Sequence, residues 1–268
     1  MVGIDPNPAE LWPLTGGGQG VVAVLGHCRA LIAAVAEAAV AVKLQLAWFE
    51  RWGAAGLAAL EELVGYAREE GLLVILDAKR GDVPHTAAAY AQALLGREGL
   101  DGDAATVSPW FGAEAVKPFL ELAGGSGKGV FVVVRSSNPG GADLQELPLQ
   151  GGGRVWERAA EIVRSLAKAG SGGELGAVVG ATVPEAVAQA RRLLGDLPIL
   201  LPGVGAQGGA VEPLAAALAD APEPLRRSSL LITAARSLAN AWRREGGDPR
   251  RAAEREAQRL RAAAWALG

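Results

Sequence analysis

The chain is poor in the residues that build disulfides and metal clusters. Its 268 residues include one cysteine, Cys28, one methionine and two histidines. A single cysteine excludes an internal disulfide and any cysteine-based zinc site, and it fits a reducing compartment, so we expect a cytoplasmic protein. His27 and His85 are not spaced with acids as metal ligands would be, so we expect no metal.

The chain also lacks the marks of export, membrane insertion and nucleic-acid binding. Residues 1–14 contain two acids and three prolines, which a signal peptide tolerates poorly. Charge or glycine interrupts the longest apolar stretches, so we expect no membrane span. A net charge of −3 and a pI near 5.6 argue against a general nucleic-acid binder. The arginine-rich C-terminal stretch alternates in charge sign and predicts a solvated amphipathic helix.

What the chain has in quantity is short β-branched apolar runs that alternate with Ala/Leu-rich stretches of helical periodicity, such as 53–70 and 184–194. The strand-like runs are residues 1–4, 39–46, 72–77, 103–108, 129–135, 176–180, 198–202 and 229–233. This alternation predicts a parallel sheet. Eight such units in about 250 residues match a (β/α)8 TIM barrel, so we predict an α/β fold with a single domain over residues 1–268. The rival doubly wound sheet lacks its glycine fingerprint after the first strand.

Charged residues gather at the end of the third run, where residues 77–82 read "DAKRGD". Residues i and i+2 of a strand share a face, so Asp77 and Lys79 should point the same way at the end of the barrel that holds catalytic groups. Lys43 is the only charge between residues 38 and 49, and burying it requires an anion, for which Asp77 is the candidate. Asp82 lies past the strand and could reach another subunit. The alternative is a structural ion-pair cluster at a barrel rim.

Lys43 and the segment "DAKRGDVPHTAAAYA" resemble the signature of the orotidine 5′-phosphate decarboxylase family. Further similar blocks follow in order over nearly the whole chain: "GIDPNP" (3–8), "VKLQLAWFE" (42–50), "TVSPWFG" (106–112), "RSSNPGG" (135–141), "VVGAT" (178–182) and "LPGVGAQGG" (201–209). They are the blocks of the longer bacterial subgroup, type 2. Two departures are visible: the usual additional N-terminal helix is not found, and "LLITAARSLANAW" has no glycine before Arg236.

The resemblance implies a cofactor-independent decarboxylation of orotidine 5′-phosphate to uridine 5′-phosphate, the last step of de novo UMP biosynthesis. It implies that Lys79 donates the proton that replaces CO2 and that Asp77 lies beside the departing carboxylate. Lys43 and Asp82 would hold these two residues and touch ribose hydroxyls. Asp82 and Thr86 would enter the neighbouring subunit's site, which implies a homodimer with composite active sites.

The remaining expected site residues bind the substrate. The resemblance implies that Asp5 contacts ribose, that Ser137 reads the pyrimidine amide edge, and that Pro202 and Gln207 lie in the block that reaches the phosphate. Glycines let backbone N–H groups approach an anion, and barrels often bind phosphate in the loops after strands seven and eight, where Arg236 follows. The alternatives are an Asx-turn for Asp5, a helix cap or ST-turn for Ser137 and a tight turn for the glycines.

Two other functions stay open at this point. A Mg2+-dependent sugar-phosphate decarboxylase or aldolase of the same barrel group shares the Asp-x-Lys-x-x-Asp array but not the "SSNPGG" loop. A non-catalytic nucleotide-phosphate-binding barrel would not need Lys79 and Asp77. Residues 136–153 form the longest stretch without a clear pattern, and we predict a lid there.

Overall fold

Strands and helices alternate along the chain in the computed structural model, which describes residues 1–13, 18–170, 172–205, 208–222 and 229–267. The strands are β1 Val2–Ile4, β2 Ala41–Gln45, β3 Leu73–Arg80, β4 Ala104–Val107, β5 Gly129–Arg135, β6 Glu174–Val179, β7 Ile199–Pro202 and β8 Leu230–Thr233. The helices are α1 Gly20–Val35, α2 Ala47–Glu50, α3 Gly53–Glu69, α4 Pro84–Leu95, α5 Ala113–Gly124, α6 Ala142–Gln145, α7 Val155–Lys168, α8 Pro184–Leu194, α9 Val211–Ala217, α10 Arg236–Ala239, α11 Ala241–Glu245 and α12 Pro249–Trp265. Short 3-10 turns cover Pro8–Glu10, Ala36–Ala38 and Pro139–Gly141.

The strands are parallel, and their order in the sheet is their order in the chain, β1 to β8. Ala234, the residue after β8, forms a parallel bridge with Val2 of β1. Sequential parallel strands joined by helices are the topology of the (β/α)8 barrel, as predicted.

All eight predicted strands are present, but the third is longer than its apolar run. We expected it to cover residues 72–77, and β3 continues through Asp77 to Arg80. The extension is held against β4, because the Lys79 N–H donates to Thr106 Oγ1 at 3.0 Å and Arg80 O accepts from the Ser108 N–H at 2.8 Å. The stretch 136–153 is also more ordered than predicted, since it holds a 3-10 turn, helix α6 and a bridge between Pro148 and Arg154.

The chain divides into two units. The first unit is residues 1–78 and 234–262, and the second is residues 79–233 and 263–268. In the first unit the registers Val2↔Val42 and Val42↔Val74 align buried strand residues. Fully buried side chains from these strands and from α1 and α3 form its core, among them Ile4, Leu31, Leu44, Leu60, Leu63 and Leu76.

The second unit is built on β4 to β8. Its strands read as nearly continuous apolar runs, as expected for a parallel sheet buried on both faces. The core side chains come from strands and from the flanking helices α5, α7 and α8, including Phe119, Leu120, Val132, Trp156, Val187 and Ile199. Helices α4 and α8 each begin with a proline, Pro84 and Pro184, whose missing N–H is harmless in a first turn.

Among the described residues, one helical segment, Gly20–Ala38, is long and apolar enough to cross a membrane by length and composition alone. A core helix can pass the same test. Several of its side chains are fully buried, including Val24, Leu31 and Val35. Its Arg29 donates to Glu62 on α3 at 2.6 Å, so we interpret the segment as a core helix of the first unit.

Candidate active site

In the first unit, Lys43 and Asp77 form a buried ion pair at the carboxyl ends of β2 and β3. Lys43 Nζ lies 2.6 Å from Asp77 Oδ2, and each side chain is only 6% exposed. The register places Gln45 opposite Asp77, and Gln45 Nε2 donates to the same oxygen at 3.0 Å. Asp5, directly after β1, has Oδ1 3.9 Å from Lys43 Nζ. The structure therefore brings together three predicted residues, Asp5, Lys43 and Asp77.

The charges around Lys43 keep it protonated. Burial by itself lowers the pKa of a lysine, but the carboxylates of Asp77 and Asp5 and the hydrogen bond to Asp77 outweigh it, so the pKa of Lys43 is raised above its ordinary value. Within the described residues, Asp5 Oδ1 is buried without a hydrogen-bond partner. Buried polar atoms are seldom left unpaired, so this oxygen is suited to accept a hydrogen bond from a bound ligand.

In the second unit, Lys79 has an unusual backbone. Its φ is 47°, in the left-handed region that non-glycine residues rarely adopt. Its N–H donates to Thr106 Oγ1 on β4 at 3.0 Å. The expectation that Asp77 and Lys79 share a face rested on extended backbone, and that geometry does not hold at Lys79. Asp77 is buried, whereas Lys79 is exposed.

Asp82 and Thr86 lie where the sequence placed them, beyond β3. Asp82 is half-buried in the loop before α4, and its Oδ1 accepts from the Val83 N–H at 2.7 Å. Thr86 is half-buried in the first turn of α4. Large apolar side chains are exposed in this loop and in the stretch after β4: Val83 is 53% exposed and Trp110 70% exposed.

Ser137 lines a cavity of about 530 Å3 in the second unit. The lining residues are Arg135, Ser137, Asn138, Pro139, Thr182 and Val183. The hydroxyl of Thr182 donates to the Ser137 carbonyl at 3.2 Å, which fixes the backbone at Ser137. Asn138, rather than Ser137, is the residue that precedes the 3-10 turn, so the turn does not use Ser137 as its cap.

The segment beyond Ser137 is tied to the end of β5. Glu146 accepts from Arg135 Nε at 2.9 Å and from Arg154 at 2.7 Å. Desolvation raises the pKa of Glu146, but its bonds to Arg135 and Arg154 prevail and the pKa is lowered. Gln145 Oε1 accepts from the Ser136 N–H at 2.9 Å. These contacts anchor both ends of the predicted lid.

The described glycines of the stretch after β7 are hydrogen-bonded to one another. Gly203, Gly205 and Gly208 have φ values of 102°, 86° and 89°, which glycine adopts without strain. Gly209 N donates to Gly203 O at 3.0 Å, and a Cβ on Gly209 would lie 2.7 Å from that oxygen. Pro202, the last residue of β7, leads into this turn and is half-buried.

The other two residues expected to bind phosphate are Gln207 and Arg236. Gln207 lies outside the described residues. Arg236 is the first residue of α10 in the first unit and is exposed. An exposed guanidinium is free to meet an anion arriving from solvent, which is compatible with the expected contact.

The histidines lie away from any ligand cluster. In the part of the chain that the structure describes, no group of three His, Cys, Asp or Glu side chains is placed to hold a metal ion. His27 Nδ1 accepts from the Trp12 N–H at 3.2 Å, and its ring packs edge-on against Trp12. His85 is an exposed residue in the first turn of α4.

Sequence reasoning missed three polar residues that contact the predicted site residues: Gln45, Thr106 and Thr182. Gln45 could have been found, because it lies two residues after Lys43 and therefore on the same face of β2. Thr106 could not, because its contact depends on the left-handed backbone of Lys79. A hydroxyl between two alanines and a valine was the only visible signal.

The chain has eight βα units, and polar and charged side chains lie toward the carboxyl ends of their strands. It is therefore a (β/α)8-barrel protein of the class that carries enzyme sites at that end. A protein-family model described as "Orotidine 5'-phosphate decarboxylase / HUMPS family" matches residues 7–255. The chain belongs to that family.

Curated relatives and solved structures agree with the assignment. Orotidine 5′-phosphate decarboxylase of Ralstonia pickettii is 44% identical over 214 residues, covering 79% of this chain and 74% of the relative. The enzyme of the same name from Roseiflexus is 41% identical over 225 residues, covering 84% and 78%. The solved structure of Leishmania donovani OMP decarboxylase is 33% identical with a TM-score of 0.77, covering 98% of this chain and 92% of that chain. The fold class and the family resemblance predicted from the sequence are therefore confirmed.

Proposed function

We propose that this chain decarboxylates orotidine 5′-phosphate to uridine 5′-phosphate, the last step of de novo UMP biosynthesis. The observation that carries the proposal is the buried Lys43–Asp77 pair with Asp5 and Gln45 around it. A protein that only binds a nucleotide has no need of a buried carboxylate and ammonium at a strand end, since such charges are costly to bury. Its family and its curated relatives' names support the same reaction.

The reaction breaks the bond between pyrimidine C6 and its carboxylate carbon. CO2 leaves without the bonding electron pair, which stays on C6 in the plane of the ring, where the π system cannot delocalise it. No electron sink such as PLP or thiamine is required by the proposal, so fixed charges must stabilise the developing anion. We assign to the Lys79 ammonium the proton that C6 takes up, after which Lys79 recovers a proton from water.

Asp77 is assigned the place beside the departing carboxylate. Its position is supported by two donors on one oxygen, Lys43 Nζ at 2.6 Å and Gln45 Nε2 at 3.0 Å. Held in this way, the carboxylate cannot rotate away from the substrate's own negative charge. Repulsion between the two is relieved as CO2 departs, which favours the transition state over the bound substrate.

The substrate's other groups are assigned to the strand ends that carry suitable donors and acceptors. Asp5, whose buried Oδ1 has no hydrogen-bond partner among the described residues, suits a ribose hydroxyl. Ser137 in its cavity suits the pyrimidine amide edge. We assign the phosphate to the turn beginning at Pro202, with Gln207 and Arg236 as further ligands. Binding energy from this remote group would then serve the chemistry at C6.

We further propose a homodimer in which Asp82 and Thr86 complete the partner's site, in the cytoplasm. The support is the exposure of three large apolar side chains in the stretches that follow β3 and β4: Val83, Trp110 and Phe111 are 53%, 70% and 47% exposed. Phe111 Cδ2 lies 3.6 Å from a Cβ built on Gly81, the residue before Asp82. Apolar side chains grouped in this way usually mark an interaction site, and a second copy placed there would bring Asp82 to the boundary. The single Cys28, fully buried, is compatible with a reducing cytoplasm.

Sedimentation velocity tests the dimer. Trp110→Asp should yield a monomer with lost activity, whereas the matched change Leu73→Asp, on a residue 57% exposed at the start of β3, should leave the dimer intact. A monomeric wild-type protein with full activity would remove the composite site from the proposal.

Turnover of orotidine 5′-phosphate, followed by its loss of ultraviolet absorbance in the presence of EDTA, tests the function. We expect full activity in EDTA and none for Lys79→Ala, which should still bind uridine 5′-phosphate. Inhibition by EDTA that Mg2+ reverses would favour the sugar-phosphate alternative. Binding without turnover in the wild-type protein would favour the non-catalytic barrel.

A further inference from the structure

We propose that Thr106 is a positioning residue for Lys79: its buried hydroxyl holds Lys79 in the left-handed backbone conformation from which the ammonium reaches the substrate. The inference rests on the proposed function, because it explains how the assigned proton donor is placed. The juxtaposition that carries it lies wholly within the second unit, where Thr106 Oγ1 accepts from the Lys79 N–H at 3.0 Å.

The backbone at Lys79 needs a local cause. Among the described residues, only Lys79 and Asp101 are non-glycine residues with positive φ, at 47° and 53°. Asp101 lies outside the strands, where turns tolerate this conformation, but Lys79 lies inside β3. For an L-residue with a side chain this conformation is unfavourable, and such residues persist where surrounding contacts determine them and often at functional sites.

Thr106 supplies that contact from an otherwise apolar strand. Thr106 is 1% exposed, and its neighbours in β4, Ala105 and Val107, are 0% and 1% exposed. A valine would fill the same space without burying a hydroxyl. The Thr106 hydroxyl accepts the Lys79 N–H, which a valine could not do, and this bond fixes the peptide plane from which the left-handed backbone of Lys79 turns.

The chain after Lys79 is held against β4 as well. The Ser108 N–H donates to Arg80 O at 2.8 Å. A Cβ built on Gly81 would come within 3.0 Å of Ser108 O, so the two backbones pass close together there. Lys79 is therefore fixed on its own N–H by Thr106 and just beyond by the Arg80–Ser108 bond, and only the first of these depends on a side chain.

Removal of the acceptor should release this conformation. The Lys79 N–H would lose its bond to Thr106 Oγ1, the residue would relax toward extended backbone, and the side chain would leave from a different direction. A displacement of about 1 Å at a catalytic group can lower a rate roughly 100-fold. We therefore expect Thr106→Val to lower kcat by about 10-fold to 100-fold while KM for orotidine 5′-phosphate changes little.

The experiment compares Thr106→Val, Thr106→Ser and Thr106→Ala with Val163→Ala, a control at a fully buried residue of α7, the helix that packs on β5 and β6. The serine variant keeps the hydroxyl and should retain most of kcat, whereas valine and alanine should both lose it. If Thr106→Val fails to fold, the kcat values of Thr106→Ser and Thr106→Ala are compared instead. A crystal structure of a variant lacking the hydroxyl should have Lys79 at negative φ.

Three results would overturn the proposal: wild-type kcat in Thr106→Val, an equal loss in serine and valine variants, or a left-handed Lys79 that persists without the hydroxyl. Absence of turnover in the wild-type protein would instead refute the proposed function. In that case the φ of Lys79 in the variant still decides the structural claim, so the two failures are distinguishable.

Discussion

Replacement of Lys43 by methionine should strongly destabilise the protein. The Nζ–Oδ2 distance is 2.6 Å and both side chains are 6% exposed. At an effective dielectric of about 20 the attraction is roughly 6 kcal/mol, and it is offset by the desolvation of both ions, several kcal/mol each. Methionine removes the attraction but leaves Asp77 buried with its own desolvation cost. We expect the free energy of unfolding to fall by about 3–5 kcal/mol.

The measurement is urea unfolding at neutral pH, with the midpoint and slope fitted for each variant. Methionine fills most of the space of the lysine stem, so a cavity contributes little to the loss. Gln45 still donates to Asp77, which keeps the expected loss below the full Coulomb energy. Activity should disappear in the same variant, because Asp77 loses the contact that orients it.

Two controls isolate the charge effect. Arg158→Met breaks the exposed pair with Glu161, whose side chains are 64% and 53% exposed, and should lose less than about 1 kcal/mol. The double variant Lys43→Met with Asp77→Asn should be more stable than Lys43→Met alone, because no uncompensated charge remains. The reasoning fails if Lys43→Met lowers the free energy of unfolding no more than Arg158→Met does. It also fails if adding Asp77→Asn to Lys43→Met lowers the free energy of unfolding by as much as Asp77→Asn does alone.

Three further outcomes are expected. Burial lowers the pKa of His27 from 6.5 to about 4. The stability that neutral His27 contributes is therefore present above pH 6.5 and is lost as the pH falls toward 4, by roughly 3 kcal/mol in all. His27→Asn should flatten this part of a pH–stability curve, and an unchanged slope would contradict the assignment. Gln45→Glu places a second carboxylate at the Asp77 oxygen and should lower kcat at least 10-fold, whereas unchanged kinetics would show that Gln45 does not orient Asp77. Gly209→Ala forces a Cβ to 2.7 Å from Gly203 O and should raise KM about 10-fold, while Gly151→Ala, which meets nothing within 4 Å, should leave KM unchanged; equal effects would refute a phosphate role for the turn.

The arrangement of the strands could be predicted from the sequence because parallel strands are buried on both faces. Each strand therefore appears as a run of β-branched residues, and even the exact bounds of β5 and α8 followed from such patterns. The Lys43–Asp77 contact could also be predicted. An ammonium inside an apolar run needs an anion, and Asp77 ends the next strand-like run along the chain.

Other features depend on information that no local pattern contains. The end of β3 was set too early, because a charge run normally marks solvent and the contacts of Lys79 and Arg80 come from Thr106, 27 residues after Lys79, and from Ser108. The left-handed φ of Lys79 was invisible for a similar reason, since nothing in "DAKRGD" distinguishes it from an extended strand end. The structure in residues 136–153 depends on Glu146, whose partners Arg135 and Arg154 come from either end of the segment.

The Lys43–Asp77 pair is better explained by catalysis than by stability. A buried ion pair contributes little more to stability than apolar residues of similar volume would. Replacing such a pair by apolar residues is often neutral or stabilising by about 1–4 kcal/mol. The variant with Lys43→Met and Asp77→Leu should therefore be as stable as the wild-type protein or more so, and it should have no turnover. If this variant instead unfolds readily, the ions hold the fold together, and the structural ion-pair cluster becomes the better account of these two residues. If it is stable and inactive, the two charges persist in the core because the reaction needs them.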